Sequence, residues 1–383
     1  MPTFVLAGEQ MTVRKKVRLI LGLVALAVVL AACSTSSSLP QNSLNPQGPY
    51  ARKIDNLFDP VFWIAVVVFV LVEGALVFAI FRFRHKPGRA IPAQTHGNSK
   101  LEITWTILPA VLLAGISVPT VATILELNRQ PAGQVLNVDV SGHQWWWEFD
   151  YPQQKLRTAN VLHIPVGENV YVSLCGVGQT ASGTPYGGTC GDQPPPGVGD
   201  AVIHSFWVPE LNGKQDVVPG RTNHLTLYAD HPGTYAGQCY EYCGYSHANM
   251  KFKVVAQTPS EFEAWVAGQQ APAIKAQAGS LAAKGEGLFW GQNGQGGQCI
   301  ACHTISGLVN DEGRPVATAT GGPNLTHFAS HDCFAGCMLA NTPENVAKWL
   351  ADPPGVKPGS WMPNYHLTPD EIQALTAYLE TLK

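Results

Sequence analysis

Two long apolar segments constrain the fold of this chain more than any other feature. They cover residues 61–81 and 103–124, and each is long enough to cross a bilayer core of about 30 Å. The loop between them carries a run of basic side chains, namely Arg82, Arg84, Lys86, Arg89 and Lys100. Basic loops stay on the cytoplasmic side of a membrane, so the sequence predicts a transmembrane hairpin over residues 56–128 with both outer flanks outside the cytoplasm.

A leader precedes this hairpin. Basic residues at 14–18 are followed by an apolar run over 19–29 and by Leu-Ala-Ala-Cys, which ends at Cys33. This pattern is typical of a bacterial lipoprotein signal peptide over residues 1–32, with lipid on Cys33 and an extracytoplasmic tether over 33–55. A third transmembrane helix is the alternative to cleavage, and Met11 competes with Met1 as the true start. The expected location is therefore a bacterial cell membrane.

The segment after the hairpin changes character. Short alternating stretches at 134–140, 169–174, 224–228 and 251–255 are separated by Gly and Pro turns, which indicates an all-β sandwich or barrel. Helical patterns follow at 260–266, near 343–350 and at 369–382, and a further helix is expected to carry a motif near residue 300 at its end. The net charge of −3 gives no reason to expect a nucleic-acid partner.

The β region contains a cluster of soft metal ligands. Twelve residues hold two thiols, an imidazole and a thioether: Cys239, Cys243, His247 and Met250. The backbone carbonyl of Glu241 lies between the two cysteines, and His204 is available upstream. Sulfur with imidazole selects copper, whereas zinc rarely takes a thioether. A disulfide is the other alternative, but it would leave His247 and Met250 without a role.

A second redox motif lies downstream. Cys299-Ile-Ala-Cys302-His303 is the attachment signature of a c-type haem, with two thioether links and a proximal imidazole. By elimination among the five methionines, the distal ligand is Met362 or Met338. Met362 is preferred because it lies just before the last helix, whereas Met338 follows Cys337 in a cysteine-bearing loop.

Together with Gly-His-Gln-Trp-Trp-Trp over 142–147, these motifs resemble subunit II of cytochrome c oxidase, and the haem region resembles the domain fused to it in caa3-type oxidases. The resemblance implies a cupredoxin-like Greek-key domain over 129–258, a linker over 259–280 and an all-α class I cytochrome c domain over 281–383. It also implies a dinuclear CuA centre of two copper ions. Cys239 and Cys243 would bridge them, His204 and His247 would each bind one, and Met250 and the Glu241 carbonyl would be weak ligands.

The resemblance further implies a function. Electrons from a cytochrome c or a cytochrome bc-type complex would reach the covalent haem, then CuA, then haem a of subunit I. Oxygen would be reduced there at a haem a3–CuB site with proton pumping, and subunit III would be a further partner. Trp145 would be the exposed aromatic for electron entry, and Glu102 the mouth of a proton channel or simply a helix cap. Magnesium would contact Glu241 at the subunit boundary.

The remaining cysteines and one histidine complete the expectations. Cys175 with Cys190 and Cys333 with Cys337 are disulfide candidates, because disulfides persist outside the cytoplasm. His327 is expected in a solvent-facing loop. The alternative function is a CuA-bearing input subunit of a nitric oxide reductase. A nitrous oxide reductase, a copper-delivery lipoprotein and a quinol oxidase subunit fit the motifs less well.

Overall fold

The computed structural model describes residues 40–84, 87–88, 94, 96–176, 178–180, 185–186, 198–199, 202–291, 299–307 and 321–383, together with 20–22 and 24. The signal peptide, the lipidation of Cys33 and the pairing of Cys175 with Cys190 depend on residues outside these ranges and stay predictions. Residues 41–383 form one compact unit.

The two apolar segments form long helices, α1 (Pro49–Phe83) and α2 (Ser99–Leu127). Both are apolar and long enough to cross a membrane, and their most apolar windows contain no buried residue, as expected for helices that face lipid or partner subunits. The Asn98 side chain caps the start of α2, and the Glu102 side chain accepts the backbone N–H of Asn98 at 3.1 Å. Glu102 therefore occupies the capping position that its sequence context also allowed.

Helix α1 begins earlier than the predicted hairpin, at Pro49, so residues 49–55 are helical and are not part of a tether. The reason is a close contact with the β domain. Gly48 lies against the β-domain backbone, since an added Cβ would be 2.1 Å from the carbonyl oxygen of Tyr228. Ala51 N–H donates to the Leu211 carbonyl, and Arg52 pairs with Asp230. The anchor is thus fixed to the domain it carries.

The β domain contains two five-stranded sheets. The first has the order β11-β5-β1-β2-β3 and the second the order β10-β9-β12-β13-β4. The strands are β1 (Leu136–His143), β2 (Trp146–Tyr151), β3 (Leu156–Ala159), β4 (Val161–Pro165), β5 (Val170–Gly176), β6 (Gly178–Thr180), β7 (Pro185–Tyr186), β8 (Val198–Gly199), β9 (His204–Trp207), β10 (Gln215–Val217), β11 (Thr222–Leu227), β12 (Gly233–Cys239) and β13 (Lys251–Gln257). Short strands β6–β8 form a separate small sheet.

The core of this domain lies between the two large sheets. Trp147, Phe206 and Phe252 are fully buried and their rings contact one another, with centroids 4.5–5.5 Å apart. Each of the four strands predicted from alternation is present, within about two residues at its start. The predicted all-β domain is confirmed.

Helix α3 (Pro259–Gln269) joins the β domain to the last domain. A capping box between Thr258 and Glu261 starts it, and Phe262 enters the β-domain core. The residues that follow α3 pack against the helical domain instead, because Ala273 and Ala276 are buried in its core. The segment 259–280 is therefore packed at both ends and is not a loose linker.

The helical domain is built around two crossing helices, α4 (Leu281–Trp290) and α7 (Pro369–Leu379), with α5 (Pro343–Ala351) and α6 (Pro353–Val356) beside them. A Cβ added to Gly285 would lie 2.0 Å from the Ala374 carbonyl oxygen, so glycine permits the close crossing. Gly291, at φ 77°, ends α4 before the haem motif. The expectation that this helix carries the motif at its end is wrong, since the motif begins in a separate 3₁₀ helix (Cys299–Ala301).

A small hairpin completes the domain, with β14 (Cys333–Phe334) and β15 (Leu339–Ala340). A disulfide joins Cys333 to Cys337 across its turn. His327 is 7% exposed and does not face solvent, contrary to expectation. Its Nδ1 lies 2.9 Å from the Lys383 backbone oxygen and its Nε2 lies 3.1 Å from that of Ala271, so the ring joins the inter-domain segment to the residues that follow the last helix.

Candidate metal centres

The second sheet of the β domain collects the soft ligands at one end. His204 begins β9, Cys239 ends β12, and Cys239 pairs with Phe206 in the antiparallel β9–β12 ladder. The loop from β12 to β13 then supplies Cys243, His247 and Met250. Ligands 35 residues apart in the chain thus meet because neighbouring strands end together.

The distances describe a closed donor set. The sulfurs of Cys239 and Cys243 are 3.8 Å apart. His204 Nδ1 lies 3.7 Å from Cys239 Sγ, and His247 Nδ1 lies 3.6 Å from Cys243 Sγ. Met250 Sδ lies 3.9 Å from Cys243 Sγ. On the other side of the pair, the Glu241 carbonyl oxygen lies 3.2 Å from Cys239 Sγ.

Both cysteines are buried free thiols, so the disulfide alternative is excluded. The neighbouring Cys243 and then His204 lower the pKa of Cys239, against the opposing effect of burial. The pKa of Cys243 is raised, first by its hydrogen bond with Cys239 and then by burial. A bound cation would stabilise both thiolates, so metal binding would release the protons that these sulfurs hold.

The backbone around the loop fixes this geometry. The Cys243 carbonyl accepts hydrogen bonds from Trp145 Nε1 at 3.0 Å and from Gln144 Nε2 at 2.7 Å. Cys239 N–H donates to the Met250 carbonyl at 2.9 Å. A Cβ on Gly142 would lie 2.9 Å from the His204 ring, so the imidazole packs directly against the backbone of this glycine. The loop is held in place by the protein itself.

The donor set fits copper. Each of two adjacent sulfurs has its own imidazole, and a thioether and a carbonyl oxygen complete the set within 4 Å of a sulfur. No carboxylate side chain belongs to the cluster of His204, Cys239 and Cys243 that the described residues form. Thiolate, imidazole and thioether are the ligands that electron-transferring copper takes in proteins.

The residues at the haem motif also fit their group. His303 Nδ1 donates to the Pro323 carbonyl at 2.8 Å, so Nε2 is the nitrogen left for a metal. A Cβ on Gly322 would lie 2.9 Å from the imidazole, so backbone packs directly against the ring. Burial lowers the pKa of His303, which favours the neutral imidazole that a metal needs. Cys299 and Cys302 are free thiols, as attachment requires.

Met362 is half-buried against the core of the helical domain, whereas Met338 is not among the residues packed there. Met362 packs against the buried cluster of this domain, and Trp349 Nε1 donates to its sulfur at 3.2 Å. Cys299 and Ile300 of the haem motif pack against the same buried cluster as Met362. This shared packing favours Met362 as the distal ligand.

Trp145 is 6% exposed, so the expectation of an exposed aromatic is wrong. The reason is the helical domain, whose residues cover it. A Cβ on Gly359 would lie 2.5 Å from the Trp145 ring, and the Lys357 ammonium donates to the Trp145 carbonyl at 2.5 Å. Sequence reasoning missed Lys357, because a lone lysine in a Pro/Gly-rich loop carries no signal of burial.

Comparisons with known proteins agree with this geometry. Family models of cytochrome c oxidase subunit II match residues 37–123 (transmembrane domain) and 198–257 (periplasmic domain), and a cytochrome c model matches 282–383. Cytochrome c oxidase subunit 2 of Alkalihalophilus pseudofirmus is 37% identical over 371 residues, covering 94% of this chain and 95% of the relative. The chain belongs to the cytochrome c oxidase subunit II family.

Two further proteins are similar to this chain. Cytochrome c oxidase subunit 2 of Bacillus subtilis is 34% identical over 385 residues, which cover 96% of this chain and 98% of that protein. The periplasmic domain of cytochrome oxidase subunit II of Bradyrhizobium japonicum is 26% identical, covers 37% of this chain and 96% of that structure, and superposes with a TM-score of 0.29. The chain is thus a membrane-anchored subunit of a haem–copper oxidase, with a copper domain and a cytochrome c domain.

Proposed function

We propose that this subunit receives electrons on a covalently bound haem c and passes them through a dinuclear CuA centre to haem a in subunit I, where oxygen is reduced to water with proton pumping. One observation carries the proposal: a complete soft donor set and a haem-attachment motif lie in a single unit, and the two domains that carry them contact each other through Lys357 and Trp145. The chain has the parts of an electron relay, and the reduction of oxygen belongs to the partner.

The copper ligands take distinct roles in this proposal. Cys239 and Cys243 would hold both ions, because their sulfurs are adjacent and each lies near a different imidazole. His204 and His247 would each bind one ion. Met250 and the Glu241 carbonyl would be weaker ligands. A bound centre of this kind supplies one-electron transfer with little change of geometry, and the buried loop assists by keeping its ligands fixed.

The haem ligands follow in the same way. Cys299 and Cys302 hold the haem covalently, His303 is the proximal ligand and Met362 the distal one. A histidine–methionine pair raises the haem potential. The packing of Met362 against Trp349 supports this role, since it keeps the sulfur inside the domain.

Further assignments rest on the family. Trp145 carries electrons to the copper loop, which its hydrogen bond to the Cys243 carbonyl supports. Glu102 opens a proton path into subunit I, and Glu241 contacts magnesium at the subunit boundary. Subunit III and a cytochrome c or cytochrome bc-type donor complete the set of partners in a bacterial cell membrane. Cys33 carries lipid, and Cys175 pairs with Cys190.

The test uses the complex purified through this chain and supplied with electrons by a chemical reductant. Fast oxygen uptake with proton release on the outer side is expected, and the Cys239→Ser complex serves as the control that retains haem but lacks the copper relay. Nitric oxide consumption without oxygen uptake would instead make the chain the input subunit of a nitric oxide reductase.

A further inference from the structure

The helical domain is seated directly on the copper-binding loop. Ser246 Oγ donates to the Pro358 carbonyl at 2.6 Å, which joins the loop to the segment that leads to Met362. Gly359, at φ 81°, approaches the Trp145 ring so closely that a Cβ would lie 2.5 Å from it. Trp145 in turn donates to the Cys243 carbonyl. One continuous seam thus runs from the haem-ligand segment to a copper ligand.

Lys357 is the unusual residue of this seam. It is 4% exposed, and its ammonium donates to the carbonyls of Trp145 at 2.5 Å and Ala335 at 3.0 Å. Among the described residues, no carboxylate forms an ion pair with it. Burying a lysine without an acidic partner is costly, so the hydrogen bonds to these two carbonyls, one from each domain, offset that cost.

Two outer contacts lie around this centre. Lys253 of the β domain pairs with Asp332 of the helical domain at 2.6 Å, and Asn324 Nδ2 donates to the Arg157 carbonyl at 3.2 Å. An exposed ion pair such as Lys253–Asp332 contributes little to stability. The buried contacts of Lys357 and Gly359 are therefore expected to contribute more to docking than this ion pair does.

We propose that Lys357 is a positioning residue that locks the haem domain over Trp145, so that the copper loop receives electrons from the haem of its own chain and is closed to a separate donor protein. This rests on the proposed relay function. A separate cytochrome in this arrangement delivers its electron to the haem domain and not to the Trp145 surface.

The first test compares Lys357→Met with Lys348→Met in the purified oxidase complex. Lys348 lies in α5 of the same domain and is exposed, so it is a matched control. Lys357→Met leaves two buried carbonyls without their hydrogen-bond donor, which we expect to raise the undocked fraction by about tenfold or more. Hydroxyl-radical footprinting with mass spectrometry reads this directly, as a rise in oxidation of Trp145 that does not depend on electron transfer.

The second test uses backbone geometry. Gly359→Ala and Gly279→Ala carry the same left-handed strain, at φ 81° and 78°, but only the former places a Cβ against Trp145, because the Gly279 position is open. Gly359→Ala should expose Trp145 and Gly279→Ala should not. Electron transfer is then followed after rapid mixing with a reduced soluble cytochrome c. Wild type should reduce its haem before its copper, and the two seam variants should slow the internal step and let the added cytochrome reduce copper directly.

Unchanged Trp145 oxidation in both seam variants, with intact copper and haem spectra, would overturn the lock. So would an internal transfer rate equal to that of the two controls. Failure of the proposed relay is a different result, since it appears in wild type as missing copper or haem or as absent oxygen uptake. Footprinting of Trp145 still measures whether the two domains are docked when electron transfer fails.

Discussion

The substitution Gly285→Ala tests the physical basis of the haem domain. Gly285 lies where α4 crosses α7, and its added methyl would lie 2.0 Å from the Ala374 carbonyl oxygen and 2.8 Å from Tyr378 Cβ. Ordinary van der Waals contact begins at 3.4 Å, so the two helices would have to separate by about an ångström or more. The obstacle is backbone, which cannot rotate away as a side chain does.

The change in the free energy of unfolding caused by Gly285→Ala is the sum of two opposing effects. Replacing a helical glycine by alanine gains about 1 kcal/mol in helix propensity. Overpacking a tight contact costs about 1–3 kcal/mol, and a clash with backbone lies at or above the upper end. The separation also loosens the buried contacts of Phe289 with Tyr378, whose ring centroids are 5.7 Å apart. A net loss of about 2 kcal/mol is expected, which lowers the unfolding temperature of a domain of this size by about 10 °C.

Thermal unfolding followed at the haem absorption band measures this effect, because the band reports on the helical domain alone. Gly268→Ala is the matched control: it is also a helical glycine, in α3, but a Cβ there meets nothing within 4 Å. It should leave the haem transition unchanged or raise it slightly. An equal transition temperature for the two variants would refute the account of the helix crossing.

Three further predictions concern the metal sites and a buried carboxylate. Cys239→Ser should empty or disorder the copper centre and leave the covalent haem in place, as metal analysis and haem absorption will report; full copper content would contradict the ligand assignment. Met362→Leu should keep the haem attached and lower its redox midpoint, and an unchanged midpoint would remove Met362 as the distal ligand. Burial raises the pKa of Glu148 to about 7 against the opposing charge of Arg157, so the folded chain keeps a proton that the unfolded chain releases near pH 4.5. Stability should therefore fall as the pH rises from 4.5 through 7, by at most about 3 kcal/mol, and Glu148→Gln should flatten this dependence of the unfolding temperature. A variant with the wild-type pH profile would contradict that cause.

Periodic patterns predicted the elements well. The hairpin helices follow from two runs that are apolar on every face, and the strands of the β domain from alternation with a period of two. The metal-ligand candidates follow from local spacing, since Cys299, Cys302 and His303 are neighbours and most of the copper set lies in one loop. His204 could be added because the family motif names it, although its contact with Cys239 depends on which strands pair.

Contacts between domains could not be predicted in this way. The burial of Trp145 and Lys357 depends on two segments more than two hundred residues apart, and neither carries a periodic signal. His327 was misjudged for the same reason, because its partners come from both ends of the domain. The packing of the predicted linker over 259–280 could not be foreseen either, since nothing in its composition shows that Ala273 and Ala276 are buried in the helical domain.

The difference between a tethered and a docked haem domain changes how the relay should behave. A flexible tether would set only an effective concentration, and each electron would wait for an encounter between the two domains. A seam that buries Lys357 and Trp145 removes that wait, because the haem-ligand segment stays beside the copper loop. Internal transfer in wild type should then be insensitive to salt and viscosity, whereas Lys357→Met should make it slower and sensitive to both. A wild-type rate that falls with viscosity would mean that the domains open between electrons, and the docked arrangement would then be only one state of a moving pair.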